Sequence, residues 1–361
     1  MTDLFTPLQA GDLALPNRVL MAPLTRCRAE DGHVPGALMA THYAQRASAG
    51  LLIAEATMAM EGNSAFWHEP GIHSEAQVAG WKKVTDAVHA AGGRIVLQIW
   101  HGGRACHPLL NDGRQPVAPS ALAITGDEVH TPQGKQPYVV PRELRDDELP
   151  DIVAGFARAA ENARAAGFDG VEVHGANGYL LHQFVAANVN DRDDDYGGSV
   201  ENRCRFTLEA VDAAIAEVGA GRVGLRISPL FSFSGIDDPD PGPAFRYIAE
   251  EMSARGIAYL HIADTNTMAP RSTPVMAELL ALMADTFDGP VVLNGGYDAE
   301  RARRDIEAGD AAAIAFGRAF LANPDLPQRL AKGLPLNPPN FRTFYGGGAE
   351  GYTDYPEWQP A

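Results

Sequence analysis

Eight short apolar runs recur along the chain: RVLMAP (18–23), LLIAEATM (51–58), RIVLQIW (94–100), GVEVHG (170–175), RVGLRISP (222–229), YLHIAD (259–264), PVVLNGG (290–296) and AAIAFGR (312–318). They are nearly continuous in apolar character instead of alternating, the signature of strands buried on both faces of a parallel sheet. Between them lie stretches of helical period. Over 75–91, Val78, Trp81, Val84 and Val88 share one helical face. Over 147–166, Ile152, Phe156, Ala160 and Ala163 do the same, with Gly167 placed to end the helix. Strand–helix alternation repeated eight times closes into a barrel or opens into a doubly wound sheet. No G-x-G-x-x-G follows the first strand and no acidic residue stands at the usual distance after one, so dinucleotide-type open-sheet packing loses its main support. The pattern predicts an α/β fold, a single (β/α)₈ TIM barrel spanning 1–361. Two irregular stretches exceed what a barrel needs: 101–146 after the third strand, and the C-terminal 333–361. Both follow barrel strands and are expected to lie over the C-terminal, catalytic face.

Composition narrows the partners. The 361 residues carry a net charge of −17 with no basic run, which disfavours nucleic acid and anionic membranes. No stretch of about eighteen apolar residues marks a membrane span. The N-terminal MTDLFTPLQAGDLALPNR has no export pattern. Cys27, Cys106 and Cys204 are scattered, without C-x-x-C, so neither a disulfide framework nor a structural zinc site is expected. A cytoplasmic protein is the resulting expectation, and monomer and homodimer both stay open.

In a barrel the chemistry collects at the C-terminal ends of the strands. Those ends are polar here: Thr25; Glu55 and Thr57; Gln98 and Trp100; His174, Asn177 and Tyr179; Arg226 and Ser228; then Gly295, Gly296, Gly317 and Arg318. Glycines after strands seven and eight suit a phosphate bound by backbone N–H groups, with Arg318 adding a cationic fork, although glycine there is also an ordinary turn former. Arg226 at the end of a buried strand needs a partner, either a bound ligand or a carboxylate such as Glu55. In HGANGY (174–179), a histidine and an amide donating to one oxygen would polarise a carbonyl, and the phenol of Tyr179 could deliver a proton. The bland alternative is a polar loop turning at Gly175 and Gly178.

Two features lead elsewhere. Asp191, Asp193 and Asp195 open like a calcium loop, but Tyr196 occupies the glycine position and Asn202 the bidentate-glutamate position, so a solvated turn with Ser199 capping a helix is expected. The eleven histidines show no H-x-H or H-E-x-x-H spacing for metal.

Taken together, LPNRVLMAPLTR, IAEAT, LQIWHGGR, VHGANGYLLHQF, DDYGGSVENR, LRISP, AFGRAFLANPDL and FYGGGAEGYTDYP resemble the old yellow enzyme family of FMN-dependent ene reductases nearly end to end. The resemblance implies bound FMN, with NADPH or NADH as co-substrate. It implies that Pro23, Leu24 and Thr25 line the flavin, that Ala56 and Gln98 contact its ring, that Arg226 faces its pyrimidine end, and that Gly295, Gly296, Gly317 and Arg318 hold its phosphate. His174 and Asn177 would bind the activating oxygen of a small electrophilic alkene (an enone, maleimide or nitroalkene, with nitrate esters as a further class), and Tyr179 would protonate its α-carbon. Trp100, Phe66 and Tyr345 would shape the pocket. Relatives often place tyrosine at the position of Phe66, some have a second histidine at that of Asn177, and one branch has cysteine at that of Thr25.

Three other functions predict different features. An iron–sulfur flavoprotein of the dienoyl-CoA reductase type needs a cysteine cluster and a further domain. A flavin-storage protein needs no donor pair or phenol. A metal-dependent barrel hydrolase needs metal ligands.

Overall fold

The computed structural model describes residues 2–264 and 274–359. The chain begins with a short hairpin, β1 (Leu8–Ala10) and β2 (Leu13–Leu15), followed by β3 (Val19–Met21), β4 (Leu52–Met58) and β5 (Ile95–Trp100). Four short strands follow in the next excursion: β6 (Val117–Ala118), β7 (Glu128–Thr131), β8 (Gly134–Pro137) and β9 (Arg142–Glu143). β10 (Gly170–Gly175), β11 (Val223–Ile227), β12 (Tyr259–Ala263), β13 (Val291–Asn294) and β14 (Ala313–Phe316) complete the set. The eight strands β3, β4, β5 and β10 to β14 pair in parallel into a closed barrel, matching the eight apolar runs. β10 coincides with its run, β4 and β5 lack only the first residue of theirs, and β3 and β11 to β14 end before their runs do, where the chain leaves the ladder for the loop above it.

The helices are α1 (Ala37–Ala44), α2 (Glu75–Ala90), α3 (Leu149–Ala165), α4 (Leu180–Val185), α5 (Val200–Val218), α6 (Gly242–Arg255), α7 (Pro274–Thr286), α8 (Ala299–Ala308), α9 (Arg318–Ala322) and α10 (Leu326–Lys332). α2 starts at a capping box: Ser74 Oγ accepts from the Gln77 N–H, and the Gln77 side chain accepts from the Ser74 N–H. Its expected face is in the core, with Trp81, Val84 and Val88 fully buried, each contributing about 1.5–3 kcal/mol by leaving water. α3 buries Ile152, Phe156, Ala160 and Ala163 and is followed by Gly167 at φ 89°, where a side chain would be strained. Ser199 caps α5 by accepting from the Asn202 N–H, as expected. Asp194 accepts from the Tyr196 N–H and pairs with Arg192, and among the described residues no cluster is placed to hold a metal ion. The same residues contain no helix long and apolar enough to cross a membrane.

Two features depart from the sequence reading. The hairpin β1–β2 closes the N-terminal end of the barrel: Leu13 and Leu15 pack with Leu20, Ile53, Val96, Tyr259 and Val292, and the Asp12 N–H donates to the Gly221 carbonyl at 2.7 Å. Its strands are too short to carry a periodicity. The 101–146 excursion, read as irregular, holds the antiparallel hairpin β7–β8 and the parallel pair β6–β9.

Candidate active site

At the C-terminal ends of the strands a cavity of about 230 Å³ is walled by Pro23, Leu24 and Thr25 after β3, Ala56 on β4, Gln98 and Trp100 on β5, His174, Asn177 and Tyr179 at β10, Arg226 on β11, and Phe66 and Tyr345 from the loops. These are the predicted ring and pocket residues, brought together from five strands and two loops. It adjoins a wider groove of about 930 Å³, sharing Phe66, Tyr179 and Tyr345 with it. The hairpin β7–β8 and Tyr138 border that groove, so the excursion lies over the catalytic face as expected.

The turn after β10 is held from several sides. Asn177 adopts φ 59°, a left-handed conformation that asparagine tolerates better than most residues, and its N–H donates to Ser228 Oγ at 2.8 Å. The Gly178 N–H donates to His182 Nδ1, and Gln183 Nε2 donates to the Gly178 carbonyl. Gly178 itself, at φ 77°, leaves no room for a Cβ beside Phe231. Tyr179 then packs edge-on against Trp100, centroids 4.4 Å apart, and lies 5.4 Å from the His174 ring. Burial raises the Tyr179 phenol well above its ordinary range, so its proton stays in place. Burial, reinforced by the charge of Arg226, pushes the His174 imidazole well below its ordinary pKa and keeps it neutral.

Below the mouth lies a polar layer that sequence reasoning missed. Glu172 accepts from Gln98 Nε2 at 2.7 Å and pairs with His261 Nδ1 at 2.8 Å. Burial raises the Glu172 carboxyl, but the attraction of His261 and Arg226 outweighs it and leaves the group below its usual range, ionised. The suggested Arg226–Glu55 pair does not form. Arg226 Nη2 donates to Asn294 Oδ1 at 2.9 Å, while Glu55 accepts from the Arg26 N–H and the Tyr43 hydroxyl. β4 carries a register irregularity between Ala54 and Thr57, and there Ala56, not Glu55, joins the cavity wall. Arg26, Leu321 and Phe344 also line the cavity; the first and last sit beside Thr25 and Tyr345, and that adjacency was the one signal available.

Gly295, Gly296, Gly317 and Arg318 stand at the ends of β13 and β14, outside the cavity wall but beside the strand that leads to Pro23. Gly295 and Gly296 have φ 127° and 59°, and a Cβ on Gly296 would meet nothing within 4 Å, so backbone there is open to approach. Arg318 is exposed. Among the buried polar atoms without a protein partner, Arg26 Nη1, Trp100 Nε1, His174 Nδ1, Asn177 Oδ1 and Arg226 Nε belong to residues that line the cavity. Buried polar atoms are ordinarily satisfied, so this set, with the Trp and Arg nitrogens donating and the Asn177 oxygen accepting, calls for a polar ligand that offers both acceptors and a donor. A planar ring with carbonyl and ring-nitrogen acceptors, a ring N–H and a phosphate tail, which is FMN, fits those donors and that acceptor and the open glycines.

The model of the NADH:flavin oxidoreductase / NADH oxidase family matches residues 3–337. A probable flavin mononucleotide-dependent alkene reductase from Leishmania infantum is 48% identical over 356 residues, covering 97% of this chain and 96% of that one. 12-Oxophytodienoate reductase 1 from Oryza sativa subsp. japonica is 44% identical, covering 98% and 92%. Morphinone reductase in complex with tetrahydroNAD superposes with a TM-score of 0.95 at 49% identity, covering 99% of this chain and 98% of that one. The old yellow enzyme homologue from Zymomonas mobilis gives 0.94 at 43% identity, covering 98% and 99%.

Proposed function

The chain belongs to the NADH:flavin oxidoreductase / NADH oxidase family, and from that premise we propose that it is an FMN-dependent, NAD(P)H-driven reductase of activated alkenes. The supporting observation is the convergence of His174, Asn177 and Tyr179 on one buried cavity whose wall also carries Thr25, Gln98 and the cationic Arg226. Pro23, Leu24, Thr25, Ala56, Gln98 and Arg226 would hold the flavin ring, and Gly295, Gly296, Gly317 and Arg318 its phosphate. FMN held there would supply the two-electron, hydride-transfer chemistry that links the nicotinamide to the alkene.

The chain's own residues do the rest. His174, neutral because it is buried beside Arg226, offers an N–H to the activating oxygen of the substrate, and the Asn177 amide offers a second donor. Two donors preorganised around that oxygen favour the enolate or nitronate over the neutral ground state, typically by about 3 kcal/mol per donor. Tyr179 keeps its proton until the α-carbon becomes basic enough to take it. Trp100, Phe66 and Tyr345 confine the substrate, and the wider groove beyond them decides which enone, maleimide, nitroalkene or nitrate ester enters. Phe66 itself offers no hydroxyl at that rim, where its ring stacks on Tyr345.

The experiment is direct. The purified protein should be yellow and release FMN, not FAD, on denaturation; NADH or NADPH should bleach it anaerobically and 2-cyclohexenone should restore the colour. A preparation that carries no flavin and takes up no added FMN would sink the reading.

A further inference from the structure

Glu172 stands on β10 two residues before His174, with its side chain fully buried. Strand register sets it opposite Gln98 on β5, with His174 opposite Arg226 and Arg226 opposite His261 on the neighbouring strands. Both carboxylate oxygens are taken: Oε1 accepts from Gln98 Nε2 at 2.7 Å, and Oε2 pairs with His261 Nδ1 at 2.8 Å. Packing alone does not account for it. A barrel layer needs volume, and apolar side chains supply that without the several kcal/mol cost of desolvating a carboxylate.

Its effect on the cavity follows from what each partner has left. An amide offers one nitrogen and one oxygen; with the Gln98 nitrogen engaged by Glu172, the oxygen remains as the acceptor for a ligand. Arg226, which shares the cavity wall with Gln98, feels the negative charge of Glu172 through a dry interior. We propose that Glu172 is a positioning residue for the flavin: it fixes Gln98 with its carbonyl oxygen towards the ring, and its charge offsets Arg226, so that reduced FMN is stabilised less than Arg226 alone would stabilise it. This rests on the reading that FMN occupies the cavity.

The test uses FMN-loaded protein. Glu172→Gln keeps shape and removes the charge, so at a fixed solution potential the ratio of reduced to oxidised FMN should rise about tenfold, with shifted flavin absorption bands. A folded, FMN-loaded E172Q with the wild-type ratio and spectrum overturns the inference. Should E172Q fail to fold, Glu172→Asp decides. It keeps the charge but withdraws from Gln98, so the spectrum should change and FMN should bind about tenfold more weakly. Wild-type spectrum and affinity in E172D overturn the positioning role. Wild-type protein that holds no FMN would instead bring down the functional reading beneath it, and this inference with it.

Discussion

Tyr179 shows how one residue's surroundings decide its chemistry. Its ring is clamped between Trp100 and His174, and burial keeps its proton on, so what faces the cavity is a phenol and not a phenolate, as the proposed acid role requires. Replacing it with phenylalanine keeps the clamp and removes only the proton. Flavin reduction by the nicotinamide should then change little, while reoxidation by an enone should slow roughly a hundredfold or more, the usual contribution of a positioned general acid. A nitroalkene should suffer less, because a nitronate is stable enough to leave and collect its proton from water. Anaerobic stopped-flow with both electrophiles separates the cases; equal slowing of the two, or of neither, would remove Tyr179 from the role of acid.

Among the elements, the C-terminal segment has the clearest physical signature. It bears Phe344 and Tyr345 into the cavity wall, yet among the described residues its only helical element is one short 3-10 turn, at Phe341–Thr343, and it owes its course to two buried arginines. Arg26 donates to the carbonyls of Thr343, Phe344 and Gly351, and Arg28 to those of Thr343, Gly348 and Glu350. Tyr352 anchors the end, stacked on His42 at 4.0 Å with the Arg28 guanidinium 4.4 Å above its ring. Arg28→Gln should release the segment: proteolysis within 341–351 about tenfold faster and a KM for enone raised several-fold, with FMN content unchanged. Arg28→Lys should not rescue it, since an ammonium cannot span carbonyls that a planar fork reaches. Limited proteolysis with steady-state kinetics checks this, and an unaltered cleavage rate would count against it. The sequence showed this segment only as an irregular tail because its order comes from side chains 300 residues away. The barrel strands were legible for the opposite reason: burial on both faces writes itself into each run locally. The β1–β2 and β7–β8 hairpins fell between, being too short to show a period.

At the scale of the whole molecule, the residues around the cavity were legible and the layer beneath them was not. GVEVHG reads as a buried strand, but which neighbour meets Glu172 depends on barrel register, and register is not written in any one strand; hence sequence alone offers Glu55 as a carboxylate for Arg226, whose environment in the barrel contains Glu172. The same burial of ionisable groups sets the molecule's response to pH. His42, His101, His174 and His182 are all held neutral by burial, His101 down to about 3 and His182 to about 4. The unfolded chain binds protons at these sites from about pH 6.5 downward, so it holds more protons than the native state and stability rises with pH up to that point. Glu55 and Glu69 work the other way. Burial pushes them up to about 7 and about 8, so the native state keeps protons that the unfolded chain has released, and stability falls as pH rises from about 4.5 through those values. Below pH 6 these histidines, joined by His73, His107 and His261, outweigh the two carboxyls; above 6.5 the carboxyls act alone, each with a slope of at most about 1.4 kcal/mol per pH unit. The melting temperature should therefore peak slightly on the acid side of neutrality. Glu69 holds the loop that carries Phe66 by accepting the N–H groups of Ala65 and Phe66, while its other oxygen is buried without a partner. Glu69→Gln keeps the acceptor and removes the titration, so its melting curve should pull above the wild type's between pH 6.5 and 8 and run parallel to it beyond. A wild-type melting temperature that stays flat or climbs from pH 6.5 to 8 would show that these carboxyls are ionised in the native barrel, with Arg26 and the backbone donors outweighing burial.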